Sequence, residues 1–225
     1  MKRAAHLARR ATRHSNKRDA EKTRAALLAA GAELFAKHGF AGTTADMIAR
    51  RSRVNKALVN YYFRTKEGLY EEIVGSTLRP LSNHLQSQQA DLRPDEQLRH
   101  FIEIFAVTHV KHPYLSTMIL REFLSGNRTI SGRLLPHFIG IVRYVSDILE
   151  RGIKEKLFRP VDPFLTHLSL VSTLVYFFAT AQARRHLLSS ADSPVRDPTV
   201  DEYVRHVTEL FLRGLGADKS LKGGN

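Results

Sequence analysis

The 225-residue chain has no cysteine, which excludes disulfides, thiolate metal sites and cysteine nucleophiles together. That absence fits a reducing compartment. Signatures of nucleotide, acyl and zinc-protease chemistry are missing too: no P-loop, GxGxxG, GxSxG or HExxH occurs. His109 and His112 have i,i+3 spacing, but Pro113 sets His112 at a helix boundary and no third ligand is placed. The sequence thus predicts no metal, no cofactor and no catalytic constellation; it does not read as an enzyme. Asn-Gly and Asp-Gly hairpin turns are absent, as is sustained apolar–polar alternation. Strands are not expected.

Long apolar runs are scarce. The best candidate, residues 164–181, is interrupted by Thr166, His167, Ser169, Ser172, Thr173 and Thr180. A spanning helix needs about 20 mostly apolar residues, so this segment reads as a buried helix and no membrane span is predicted. The basic start, MKRAAHLARRATRHSNKR, lacks the apolar stretch of a secretory signal.

What the chain does have is positive charge, unevenly placed. Of the formal net +13, residues 1–70 carry +11 (16 Lys/Arg against 5 Asp/Glu) and residues 71–225 carry +2 (19 against 17). A basic module joined to a near-neutral body suggests polyanion binding by the first and another task for the second. Helical periodicity dominates both parts and predicts an all-α fold of about nine helices. The first is expected from about Asp19 to Lys37, with Leu27, Leu28, Gly31, Leu34 and Phe35 on one face. Thr43-Thr44 offers an N-cap for a short helix through Arg50-Arg51, burying Met47 and Ile48; Asn55 caps another over 56–63; Thr65 caps a fourth, which Pro80 kinks or ends. Five more follow: from Pro94 through His109, from Pro113 to about Ser125, then 133–157, 163–188 and 199–214. The boundaries are a basic flexible arm 1–18, a first domain 19–65, a second domain 66–216 and a disordered tail 217–225.

Two short helices joined by a tight turn give helix-turn-helix geometry, whose second helix enters the DNA major groove. In RSRVNKALVNYYFRTK, residues 51–66, the basic residues Arg51, Arg53, Lys56, Arg64 and Lys66 face no acidic one. On a helical wheel with Val59 inward, Phe63, Tyr62 and Lys56 lie within about 60° of it. Ala57 and Tyr61 fall opposite, flanked by Leu58 and Asn60. Asn suits adenine, an apolar side chain the thymine methyl, and Ala allows close approach. Lys56, Tyr61, Lys66 and Thr44 are expected at phosphates, with Arg50, Arg51 and Arg53 adding positive potential. The candidate DNA-contacting set is Thr44, Arg53, Asn55, Lys56, Ala57, Leu58, Asn60, Tyr61 and Lys66. The arm 1–18 either adds phosphate or minor-groove contacts or is a solvated tail.

Residues 23–70 resemble the DNA-binding domain of TetR-family transcriptional regulators. The resemblance is carried by Leu34-Phe35, Gly39-Phe40, Thr43-Thr44, Asp46-Met47-Ile48-Ala49, Val54 and Lys56, the aromatic triplet Tyr61-Tyr62-Phe63, and Lys66-Glu67. The family's usual turn glycine is Arg53 here, which costs on the order of 1 kcal/mol if that residue is left-handed. Leu58 and Asn60 also depart from the family's recognition helix, so its operator does not carry over.

The resemblance implies a homodimer through the last two helices, about 163–188 and 199–214, binding a palindromic double-stranded DNA operator. It further implies a small-molecule effector held among the central helices, which shifts the fourth helix and releases DNA, and a location in the bacterial cytoplasm at the nucleoid. Candidate pocket residues are Phe101, Phe105 and His109 on one helix, Met118 and Arg121 on the next, then Phe138 and Tyr144, and finally Phe177. Aromatic stripes at helical spacing are more often plain core than pocket lining. The competing function is a non-specific nucleoid-type DNA-binding protein with no effector.

Overall fold

A computed structural model describes residues 2–87, 92–126, 132–189 and 195–217, with side chains from residue 18 onward. All named elements among these residues are helices: α1 (Lys2–Gly42), α2 (Ala45–Ser52), α3 (Lys56–Phe63), α4 (Lys66–Ser87), α5 (Pro94–Lys111), α6 (Leu115–Leu124), α7 (Leu135–Lys154), α8 (Pro163–Ala179), α9 (Ala181–Leu188) and α10 (Val200–Leu215). The expected all-α class is what the chain adopts. Two units separate within α4, Met1–Val74 and Gly75–Asn225.

In the first unit the apolar face of α1 meets α2, α3 and the start of α4. Leu27, Leu34, Phe35, Ile48, Val59, Phe63, Leu69, Tyr70 and Val74 are all buried. Gly31 lets α4 approach: a Cβ there would lie 2.9 Å from the Ile73 Cδ1. Phe35, Phe40 and Tyr70 form an aromatic triangle with centroids 5.2–5.8 Å apart. The backbone of α1 begins at Lys2, well before the expected Asp19. Residues 2–18 contain no Pro or Gly and are rich in Ala, Arg and Lys, all strong helix formers. The side chains of 1–17, and residues 218–225 of the expected tail, lie outside the described residues.

In the second unit α5, α7 and α8 bury Phe101, Ile102, Phe105, Tyr144, Val145, Ile148, Leu149, Leu170 and Leu174, and α10 adds Val207. Of the two expectations for Pro80, a kink or an end, the end is excluded: α4 continues to Ser87. Leu78, Leu81 and Leu85 around it are buried, and their packing outweighs the one backbone hydrogen bond a proline forfeits. The expected helix 163–188 is two helices, α8 and α9, bent by 57° at Thr180. Arg184 stabilises the bend. Its guanidinium donates to the Phe177 carbonyl, the Thr180 hydroxyl (2.9 Å) and Asp197 (2.8 Å), and lies 4.0 Å over the Phe177 ring. Tyr203 of α10 stacks on the same ring, with centroids 3.7 Å apart, and its hydroxyl donates to the Thr173 carbonyl.

A short antiparallel pairing closes this unit, with Arg159 N–H donating to Leu215 O and Ala217 N–H to Leu157 O. It requires Gly152, where a Cβ would meet the Phe158 ring at 2.1 Å. Among the described residues no single helix is long and apolar enough to cross a membrane; α8 and α9 together have the composition but are bent.

Candidate nucleic-acid interface

Local chemistry sets α2 and α3. The Thr44 hydroxyl accepts the Met47 N–H at 3.2 Å and starts α2, with Asp46 in the favourable first turn. Arg53 ends it in the left-handed region, φ 57° and ψ 36°. Val54 N–H then reaches Ala49 O (3.0 Å) and Arg53 N–H reaches Arg50 O (3.2 Å), which is the Schellman pattern. The strain expected of a non-glycine turn residue is therefore present. Asn55 follows as N-cap of α3, its Oδ1 accepting from Ala57 N–H at 2.9 Å.

The α3 faces divide largely as the wheel predicts. Val59 and Phe63 are buried, whereas Ala57, Asn60 and Tyr61 are exposed, Tyr61 at 76%. Tyr62 is half-buried and meets the Tyr61 ring edge-on at 5.1 Å. Leu58 is half-buried rather than outward. Lys56, placed near the inner face by the wheel, is exposed and pairs with Asp46 at 2.8 Å. Its long flexible stem lets the ammonium leave the side on which its Cα sits.

Lys66 corrects the phosphate expectation more strongly. Its ammonium donates to the carbonyls of Phe40 (2.9 Å) and Thr43 (3.0 Å) and lies 4.2 Å over the Phe40 ring. The Phe40 carbonyl lies in the last turn of α1 and the Thr43 carbonyl in the link to α2. Lys66 therefore ties α4 to both. Arg51 is also engaged, although exposed, in a two-point ion pair with Glu33 (2.6 and 3.1 Å). Arg64 is not among the DNA contacts expected from sequence. It is exposed and has φ 64° and ψ −52°. Phe63 O accepts Thr65 N–H across it at 2.7 Å, so the chain leaves α3 through a γ-turn of the rarer, strained hand.

The candidate pocket residues mostly form core. Phe101, Phe105, Met118, Tyr144 and Phe177 are buried, and His109 is sandwiched by Phe105 (4.0 Å) and Phe178 (5.3 Å). Its Nδ1 lies 2.8 Å from the Phe105 carbonyl, and burial lowers its pKa to about 4, so the ring is neutral. Of the adjacent pair Arg121 and Glu122, either of which can face inward from sequence, Glu122 is the buried one and the pocket candidate Arg121 is exposed: the helix turns its preceding apolar residues, and Glu122 with them, toward the core. Phe138 is half-buried against the exposed Phe123. A cleft of about 400 Å³ lies between α5 and α7, lined by Gln97, Tyr144, Asp147, Ile148, Glu150, Arg151 and Lys154. Of the pocket residues expected from sequence, only Tyr144 reaches it. Among the described residues no cluster of three or more potential metal ligands occurs.

Comparison with known proteins agrees with this arrangement. Residues 27–73 match the family described as bacterial regulatory proteins, tetR family, and residues 94–209 match the tetracyclin repressor-like C-terminal domain. The second match alone spans more than half of the chain. The chain belongs to the TetR family. This TetR-family protein is thus a DNA-binding transcriptional regulator. It is 29% identical over 210 residues to the transcriptional repressor NicS of Pseudomonas putida, covering 87% of this chain and 93% of that one. PfmR of Thermus thermophilus, a TetR-family regulator, aligns with a TM-score of 0.64 at 25% identity, covering 84% of this chain and 98% of PfmR. AibR, solved with isovaleryl coenzyme A and operator DNA, shares the fold with a TM-score of 0.64 at 19% identity, covering 84% and 97%.

Proposed function

We propose that this regulator is a repressor that binds a palindromic operator as a homodimer and is released by a small-molecule effector. The observation that carries the reading is the outer face of α3: Ala57, Asn60 and Tyr61 are presented to solvent while Val59 and Phe63 anchor the helix. In this reading Asn60 and Ala57, with Leu58 at the margin, read base edges. Tyr61, Thr44 and Arg53 address the backbone, and Asn55 and Lys56 sit at the helix entry.

Dimerisation is supported by the apolar surface left on the last helices. Phe164, Leu165, Leu168 and Tyr176 on α8 and Leu210 on α10 are all more than half exposed. Exposed apolar side chains concentrated in this way suit an interaction surface, and a two-fold axis would present two α3 helices to two half-sites. The effector part of the reading draws on AibR, whose solved complex contains both a coenzyme A thioester and operator DNA, and on the cleft between α5 and α7. An effector coupling of about 1–3 kcal/mol would suffice for a 5–150-fold change in affinity.

Footprinting on sheared genomic DNA tests the reading: a protected palindrome is expected, and uniform protection would favour the non-specific nucleoid-type protein that the basic N-terminal third alone would suggest. On the recovered site, Asn60→Ala is expected to relax preference at one base pair by roughly 1–3 kcal/mol. Equal weakening on every sequence would remove Asn60 from base reading.

A further inference from the structure

Three non-glycine residues have positive φ among those described: Arg53, Arg64 and Lys156. Lys156 lies just after α7 in the second unit, so a left-handed cation is not by itself evidence of DNA contact. Arg53 and Arg64 differ in place. Arg53 opens the turn between α2 and α3, three residues before Lys56, and Arg64 is the first residue after α3. Both are exposed, and neither guanidinium has a hydrogen-bond or ion-pair partner among the described residues. Three basic neighbours are engaged, Lys56 with Asp46, Arg51 with Glu33, and Lys66 with the Phe40 and Thr43 carbonyls, whereas Arg50 within α2 is exposed as they are but does not flank α3.

Glycine would occupy either position without strain. At residue 64 the surroundings tighten the constraint, because the Phe63 carbonyl lies so near Gly68 that a Cβ there would be 2.3 Å from it. Strained conformations held by a rigid frame concentrate at functional sites. The residue placed in each strained turn is the one whose planar fork matches a phosphate. The eight-residue α3 is about 12 Å long, comparable to the width of the major groove it would enter. Lying across the groove, α3 would bring its two flanking turns near the two phosphate backbones that border it.

We infer that Arg53 and Arg64 form a pair of phosphate contacts, one at each end of α3, that set the depth and register of the recognition helix without reading sequence. This rests on the proposed entry of α3 into the major groove. It adds Arg64, and it assigns the turn strain a purpose: the positions trade relaxed glycine for charge.

The test uses Arg53→Gly and Arg64→Gly in the full chain, with a mixed-sequence DNA duplex titrated between 50 and 200 mM salt. Each variant should keep or raise Tm, since the strained backbone is relieved, while the slope of log K against log salt falls by about 0.9. Arg53→Lys and Arg64→Lys should restore most of the slope at unchanged strain. A slope equal to that of the unsubstituted protein in either glycine variant overturns the contact for that residue. A lowered Tm with proportionate loss of binding, not restored by Lys, would mean that the arginine acts only in the fold. Should the unsubstituted protein itself show no salt-dependent binding to duplex DNA, the groove-binding reading fails first, and the pair with it.

Discussion

Tyr61 and Phe63 stand two positions apart on α3 and have opposite fates, one 76% exposed and the other 7%. Residue spacing alone accounts for that difference, since two residues along a helix turn about 200°. Lys66 shows where spacing fails. Its position beside the recognition helix suggests a phosphate, yet its ammonium closes the end of α1. Lys66→Ala is therefore expected to lower stability by about 1–2 kcal/mol, read by urea unfolding of the free protein, because two carbonyl acceptors lose a charged donor. An unchanged unfolding midpoint would return Lys66 to the surface role. His109 makes a second prediction. Burial lowers its pKa to about 4 from the ordinary 6.5, so the unfolded chain takes up the proton first as pH falls. The stability it contributes is complete above about pH 6.5 and is lost between there and about 4, by roughly 3 kcal/mol in all. By NMR its ring proton should not titrate until well below pH 6.

At the scale of elements, the junctions are more constrained than the helices. The α2–α3 turn uses a Schellman pattern and the Asn55 side-chain cap, and α3 ends in a γ-turn that fixes its exit. The α8–α9 bend is held by one arginine touching two helices and a loop aspartate. The end of α7 depends on a single missing side chain. Gly152→Ala would drive a methyl into the Phe158 ring, and a loss of about 1–3 kcal/mol is expected, with the lower end reached if the ring can shift. Chemical denaturation of the variant checks it. A neutral result would show that the α7–α10 closure tolerates displacement of Phe158.

For the whole molecule, two asymmetries organise behaviour. Charge is concentrated in the first 70 residues, +11 of +13, so association with DNA should be fast and steeply salt-dependent. Large exposed apolar side chains are most numerous on α8 of the second unit, where Phe164, Leu165, Leu168 and Tyr176 face outward. Leu168→Asp, at a position about half exposed, should shift the sedimentation profile from dimer to monomer and abolish operator binding while leaving the helical circular dichroism intact. A dimer that persists in this variant would mean that another surface joins the subunits. A monomer that still protects the full palindrome would separate dimerisation from operator recognition.

Much of this was legible in the residues. The class, the short helices around residue 44 and residue 56, the caps at Thr44 and Asn55 and the outward face of α3 all follow from short-range rules. Periodicity, capping chemistry and helix geometry act within a few residues, and the chain carries them openly. Tertiary packing decided the rest. It carried α4 through Pro80, broke 163–188 at Thr180, filled the expected aromatic pocket with side-chain contacts and turned Arg121 outward. It also drew Lys66 inward while leaving Arg53 and Arg64 without partners among the described residues. Those outcomes depend on which distant groups come within a few ångströms of one another, and no local pattern encodes that distance.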